Sequence, residues 1–166
     1  MKKISIGTVF IVGALCFLAY KLTRRFLIKP TMQFESAVLV DIETNDTFSI
    51  QHMRGQVLMI SCFQTWCGDC ARETVDLDHL ANSLSSPLFS IVYISDESKE
   101  KILAFKKRFG SQHIRFAQTS QRLNDWGIHA YPTTFLLNKK GMVVKTKQEG
   151  YSWSNDDTEI RTMLAE

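Results

Sequence analysis

Cys67 and Cys70 are separated by Gly68 and Asp69, and the segment Trp66-Cys67-Gly68-Asp69-Cys70 follows a nearly continuous apolar run, Val57-Leu58-Met59-Ile60-Ser61-Cys62-Phe63. Two thiols two residues apart, where a strand gives way to a helix, read as a redox-active pair. A helix N-terminus offers unsatisfied N–H groups and the positive end of the macrodipole, both of which favour a thiolate over a thiol. Cys67 sits at that end and is expected to ionise below the ordinary cysteine value of about 8.5, which makes it the attacking nucleophile. Cys70, one turn further in, is expected to be buried, protonated and close enough to resolve a mixed disulfide on Cys67. Two other readings stay open at this point. A zinc site would need two further ligands at metal-binding spacing, where only Cys62 and four scattered histidines are at hand. The other is a pair of structural cysteines without chemistry.

The elements that must hold this pair follow from the surrounding pattern. The run at about 56–63 has the continuous hydrophobicity of a strand buried on both faces and belongs mid-sheet. After Cys67, Val75, Leu77, Leu80, Ala81 and Leu84 recur at helical spacing until Ser85-Ser86-Pro87 stops the helix. Upstream, Ala37–Ile42 and Thr47–Ile50 read as a hairpin turning at Asn45-Asp46. Downstream come a strand over Leu88–Ile94, a basic amphipathic helix from Ser98 to Gly110, a strand at His113–Ala117 and a short helix from Ser120 to about Trp126. Thr133–Asn138 and Met142–Thr146 form a second hairpin across Lys139-Lys140-Gly141, and a last helix starts near Asn155 with Ile160, Met163 and Leu164 inward. Strands alternating with helices, then a hairpin and a helix, predict an α/β fold: a mixed sheet with helices on both faces.

Of 166 residues, 45% are hydrophobic, with eleven Phe and three Trp, which suffices for one packed domain. Residues 1–29 differ from the rest, because Ile4 to Tyr20 carries no charge and lies between Lys2-Lys3 and the basic group Lys21, Arg24, Arg25 and Lys29. As a helix those seventeen residues span about 26 Å, just enough for a ~30 Å hydrocarbon core if Lys21 snorkels. Ala19-Tyr20-Lys21 offers no small-residue cleavage site, and Leu15 before Cys16 is too large for a lipid-attachment motif, so an uncleaved signal-anchor is preferred. The heavier basic flank downstream, taken alone, would keep the domain inside, whereas the short basic start suits a signal-anchor that exports it. The expected organisation is an anchor at 1–29 with the membrane contact at 4–22, a tether at 30–36 and one domain at 37–166. Six of the 20 basic residues lie in 1–29, leaving 14 against all 17 acidic ones, a net charge of −3 for the remainder. A mildly acidic domain without a basic stripe argues against nucleic acid as a partner.

Phe63-Gln64-Thr65-Trp66-Cys67-Gly68-Asp69-Cys70 resembles the active-site segment of thioredoxin-fold proteins, and Gly127-Ile128-His129-Ala130-Tyr131-Pro132-Thr133-Thr134-Phe135-Leu136-Leu137 resembles their later segment around a cis-proline. The N-terminal hairpin, the Gly55-Gln56-Val57-Leu58 approach to the central strand, the extra helical segment between the two halves and the Pro-Thr-Thr-Phe-Leu-Leu run resemble the membrane-anchored TlpA and ResA type of thiol-disulfide oxidoreductase. That resemblance, over roughly 35–166, implies a thioredoxin-like fold with an N-terminal β-hairpin and a central insertion, a Cys67–Cys70 disulfide, a cis Pro132 facing it, and Trp66 and Tyr131 beside the substrate. It implies that Glu73 handles the proton of a cysteine during exchange; the plainer readings are a surface glutamate or a partner for Arg72 or Arg115.

Departures from the family pattern carry expectations of their own. Asp69 replaces a common proline, so Gly68 and Asp69 tune the couple: a carboxylate beside the nascent thiolate should raise the Cys67 pKa and make the pair more reducing. Val75 replaces a frequent helix-kinking proline, so the helix should run straighter. Ser61 stands where thioredoxins proper keep a buried aspartate, and Cys62 reads as a buried small hydrophobe. The expected function is reductive exchange with protein disulfides in the bacterial cell envelope, from the inner membrane and facing the periplasm. It uses no cofactor and is fed by a dithiol electron donor such as a membrane transducer, with an apocytochrome awaiting haem among the substrates the resemblance implies. A copper-binding module and a domain with a static disulfide are the alternatives.

Overall fold

Side chains of a strand alternate between its two faces, and both faces of Val57–Cys62 are apolar, so this strand has to lie in the middle of a covered sheet. In the computed structural model, which describes residues 36–148 and 152–166, every residue of that strand is buried. The chain divides near residue 31, and the described residues all belong to the second unit, Met32–Glu166. The expected anchor and its tether up to residue 35 lie outside the described residues. Among the described residues, no helix is long and apolar enough to cross a membrane.

The elements in chain order are β1 (Leu39–Asp41), β2 (Thr47–Phe48), β3 (Val57–Cys62), α1 (Gly68–Leu84), β4 (Phe89–Ser95), α2 (Lys99–Phe109), β5 (Ile114–Thr119), β6 (Thr133–Leu137), β7 (Val143–Gln148) and α3 (Asp157–Ala165). They build a seven-stranded sheet in the order β2-β1-β5-β4-β3-β6-β7. β3, β4 and β5 run parallel, while β6 is antiparallel to β3 and β7 to β6. Both expected hairpins are present, β1–β2 and β6–β7. The first has shorter strands than the sequence suggests. Asp41 accepts the N–H groups of Glu43 and Thr44 and so ends β1, and Ile50 leaves β2 for a 3-10 turn, Ile50–Met53.

One face of the sheet carries Val57, Met59, Ile91, Tyr93 and Phe116 and is covered by Leu77 and Leu80 of α1, Ile102 and Phe105 of α2, and Ile160 of α3. The opposite face carries Leu58, Ile60, Val92, Ile94 and Phe135 and meets Ile50, Leu123, Trp126 and Ile128 instead. All three α-helices therefore sit on the same face, which corrects the expectation of helices on both. The connection from β5 to β6 accounts for this. Because β6 is antiparallel to the β3–β4–β5 set, it starts at the end where β5 finishes, so no helix has to run back along the sheet. Residues 120–132 need only a 3-10 turn, Leu123–Trp126, closed by Gly127 at φ 76°.

α1 is continuous over 17 residues, with Val75 half exposed at its middle. Its outer half is tied to the approach to β5 by Asp78, which accepts hydrogen bonds from Ser111 and from Nδ1 of His113, the latter at 2.8 Å. Ser111 first, then His113, hold the Asp78 carboxyl below the usual carboxylate range. A depressed folded-state value stabilises the fold above the unfolded value of about 3.9 and loses that contribution as pH falls through the folded value. Melting curves taken from pH 6 down to pH 3 should therefore decline less steeply in Asp78→Asn than in the parent chain. Parallel declines would mean that this tie is energetically idle.

Candidate active site

The sheet register assembles the site before any catalytic group is considered. Ser61 on β3 is paired with Tyr93 on β4 and Thr134 on β6, so three hydroxyls stand in a row on the face that α1 covers. α1 begins immediately beyond β3 and lays Cys70, Glu73, Thr74 and Leu77 against that face. A carboxylate is thus lowered onto a row of hydroxyls.

Glu73 is 5% exposed. Its Oε2 accepts from Ser61 Oγ at 2.7 Å and Tyr93 OH at 2.8 Å, and its Oε1 accepts from Thr134 Oγ1 at 2.6 Å and Trp153 Nε1 at 3.1 Å. None of the ion pairs among the described residues involves it; Arg72 pairs with Asp69, and Arg115 with Asp41. The plainer readings of Glu73 as a surface residue or an arginine partner are therefore replaced by a buried carboxyl held by four neutral donors. Burial, and then the adjacent Glu73, push the Tyr93 phenol well above its ordinary value, so it serves as a fixed donor.

The Ser61 and Thr134 hydroxyls are also 2.9 Å from each other. Between these two hydroxyls and the carboxyl there are three contacts and, with Glu73 ionised, only two protons to occupy them. A proton on Glu73 supplies the third. The count of contacts thus leaves a place for a proton within the cage.

Cys67 and Cys70 form a disulfide with their Cα atoms 5.3 Å apart. Cys67 is the N-cap of α1, and the Cys70 N–H donates to its Sγ at 3.1 Å, the local interaction that would favour a thiolate once the bond opens. Asp69, which pulls the other way, is ion-paired with Arg72, so its charge is shared rather than bare. The Tyr131–Pro132 peptide is cis, and the Tyr131 carbonyl oxygen lies 3.4 Å from Cys67 Sγ. Trp66 is 73% exposed and meets the Tyr131 ring edge-on at a centroid distance of 6.0 Å. Gly68 is exposed at the first helical position. Cys67, Cys70, Trp66, Tyr131 and Pro132 thus meet at one surface, with Glu73 beneath it.

Cys62 points to the opposite face of the sheet, among Leu58, Ile60 and Ile94, while Cys67 and Cys70 belong to the face under α1. Burial, then Asp96 and Glu73, push its thiol far above the ordinary value, which leaves it inert. Among the described residues there is no cluster of three or more His, Cys, Asp or Glu that could hold a metal ion.

Sequence reasoning passed over Tyr93, Thr134 and Trp153, and also the acidic pair after β4. Asp96 accepts from Gln64 Nε2 at 2.7 Å, and Glu97 accepts the Thr65 N–H. Only the alignment of the hydroxyl residues Ser61 and Thr134 within adjacent apolar strands could have signalled part of this set.

The Redoxin family model matches residues 29–164. A thiol-disulfide oxidoreductase ResA of Geobacillus thermodenitrificans is 27% identical over 150 residues, covering 87% of this chain and 86% of that protein. A thiol:disulfide interchange protein DsbE of Allochromatium vinosum is 23% identical over 147 residues, covering 84% of this chain and 79% of its own. Among solved structures, a thiol:disulfide interchange protein of the thioredoxin family from Chlorobium tepidum superposes with a TM-score of 0.62 at 23% identity, over 82% of this chain and 97% of that one.

Proposed function

The chain belongs to the Redoxin family and is a thiol-disulfide oxidoreductase of the ResA and DsbE kind, and we propose that it works in the reductive direction on protein disulfides of the cell envelope. The observation that carries this reading is the Cys67–Cys70 disulfide at the start of α1, with Glu73 caged three residues beyond Cys70.

In the reduced form the Cys67 thiolate attacks one sulfur of a substrate disulfide, forming a mixed disulfide and expelling the other sulfur as thiolate. Cys70 then gives its proton to Glu73, and its thiolate attacks Cys67 Sγ. The second substrate sulfur leaves, the substrate has gained two electrons, and the Cys67–Cys70 bond has formed. An upstream dithiol protein returns the pair to the reduced state by the same steps in reverse. The Tyr131 carbonyl beside Cys67 offers an acceptor for a backbone N–H of the substrate, and Trp66 supplies an exposed apolar wall.

What stabilises the thiolate supports the reductive direction. A couple is oxidising when its reduced form is strongly stabilised. Here one N–H and the helix N-terminus favour the Cys67 thiolate, and Asp69, its charge shared with Arg72, offsets part of that, so the reduced form gains less than at an unopposed helix end. Anchoring through residues 4–22 of a bacterial inner membrane rests on the uncharged run Ile4 to Tyr20 between basic flanks, and placing the domain in the periplasm rests on the short basic start of a signal-anchor, against the heavier basic flank downstream. An apocytochrome awaiting haem would be one substrate of such a reductant. In spheroplasts, a membrane-impermeant maleimide should label reduced Cys67 without lysis; labelling only after lysis would reverse the orientation.

The activity is tested by the reduction of insulin disulfides by dithiothreitol in the presence of the full chain. Wild type is expected to accelerate it at least about ten-fold and Cys67→Ser to leave it unaccelerated. No acceleration, together with stoichiometric copper retained through purification, would favour a metal-binding module instead.

A further inference from the structure

The two loops that form the substrate groove are fastened to one carboxylate that lies outside both. Asp96 follows β4, and one of its oxygens accepts from Gln64 Nε2 at 2.7 Å while the other accepts the Leu123 N–H at 2.9 Å. Gln64 belongs to the loop that delivers the thiols. It is buried, and its carbonyl accepts the Cys67 N–H at 3.1 Å. Leu123 opens the 3-10 turn of the segment that ends at Tyr131 and Pro132. The Gln64 amide also faces the Tyr131 phenol: burial raises that phenol's pKa, the hydrogen bond with Gln64 lowers it, and the neighbouring Asp96 carboxylate raises it again. The Tyr131 carbonyl in turn touches Cys67 Sγ. Glu97 adds a parallel tie by accepting the Thr65 N–H, and is itself held by Lys101 at 3.3 Å.

We propose that Asp96, acting through Gln64, is a positioning residue that sets the spacing between the Cys67 loop and the Tyr131–Pro132 loop, and thereby the recognition of an extended peptide around the scissile disulfide. This rests on the reading of the site as one that exchanges with protein disulfides. A small-molecule disulfide needs only the Cys67–Cys70 pair. A peptide must also fit between Trp66 and the Tyr131 backbone, so it is the peptide that registers a shift between the loops. Hydrogen bonds to a carboxylate are among the stronger ones in proteins, and loss of both would release two loops at once.

The experiment compares insulin with 2-hydroxyethyl disulfide as substrates of the full chain. For Asp96→Ala the KM for insulin is expected to rise about ten-fold, with kcat and the rate on the small disulfide within about two-fold of wild type. Asp96→Asn should recover most of the loss, because Asn can accept from Leu123 while donating to a flipped Gln64 amide. If Asp96→Ala does not fold, Gln64→Ala, which leaves the Leu123 tie intact, carries the same expectation. Equal losses on both disulfides, or an unchanged KM for insulin in a folded variant, overturns the assignment. Failure of wild type itself to reduce insulin would instead count against the function on which it rests.

Discussion

Cys70→Ser is expected to convert the chain from a catalyst into a trap. Cys67 Sγ is the sulfur at the helix N-terminus, beside the Tyr131 carbonyl and the exposed Trp66, so it is the one a substrate disulfide can reach. Cys70 is fully buried and reaches only Cys67. Without it no other thiol among the described residues can resolve the mixed disulfide, since Cys62 lies on the other face of the sheet. Turnover should fall on the order of a thousand-fold or more, while a stoichiometric covalent adduct with a protein substrate accumulates and is visible on a non-reducing gel. Cys67→Ser should lose the same turnover and form no adduct. An adduct in Cys67→Ser but not in Cys70→Ser would invert the two roles.

The second large effect is at Glu73, where two substitutions separate proton transfer from structure. Glu73→Gln is sterically matched to the cage. Its amide oxygen can accept from Thr134 and from Trp153, which can only donate, while its NH₂ faces Ser61 and Tyr93, hydroxyls that can turn round and accept. The fold should survive with a loss of about 1–2 kcal/mol, while formation of the intramolecular disulfide slows by about 10²–10⁴-fold because the acceptor for the Cys70 proton is gone. Glu73→Leu leaves four buried donors without their acceptor. Ser61 and Thr134 can partly satisfy each other and Tyr93 can turn to Ser61 or Thr74, but the strong bonds to the carboxyl are lost inside a buried cluster, and a loss of about 3–5 kcal/mol is expected. Stopped-flow measurement of the resolving step and chemical denaturation of both variants check this pair. A Glu73→Gln chain that resolves the mixed disulfide at the wild-type rate would remove Glu73 from the chemistry and leave it a purely structural role.

Features carried by adjacent residues were legible in the sequence. The central strand, the helix that follows it, both hairpins and the turn at Gly141 are written in local periodicity and turn residues, and the structure contains them. Cys67 and Cys70 are legible for the same reason, being three positions apart at a junction of two such elements. The surroundings of Glu73 were not. Its four donors come from positions 12, 20, 61 and 80 residues away, brought together by the pairing register of β3 with β4 and β6 and by the segment before α3. A register is set by the whole core, so nothing near Glu73 in the chain announces it. Asp96 escaped notice for the same reason: its partners Gln64 and Leu123 are 32 and 27 residues away. The placement of the α-helices failed differently. Alternation of strands and helices predicts layers on both faces, but the antiparallel β6 removes the need for a helical return, and two 3-10 turns cover the second face.

The central claim is that Cys67 and Cys70 form a reducing couple, and it is tested most directly by the equilibrium reduction potential of that pair. The full chain carries two other cysteines, so Cys16→Ser and Cys62→Ser are introduced first, and the protein is equilibrated with dithiothreitol or glutathione buffers. With Asp69 beside a Cys67 thiolate that one N–H supports, the potential is expected near or below the roughly −270 mV of thioredoxin. A value near the roughly −120 mV of DsbA would mean that the reduced form is the favoured one and that the protein delivers disulfides instead of removing them.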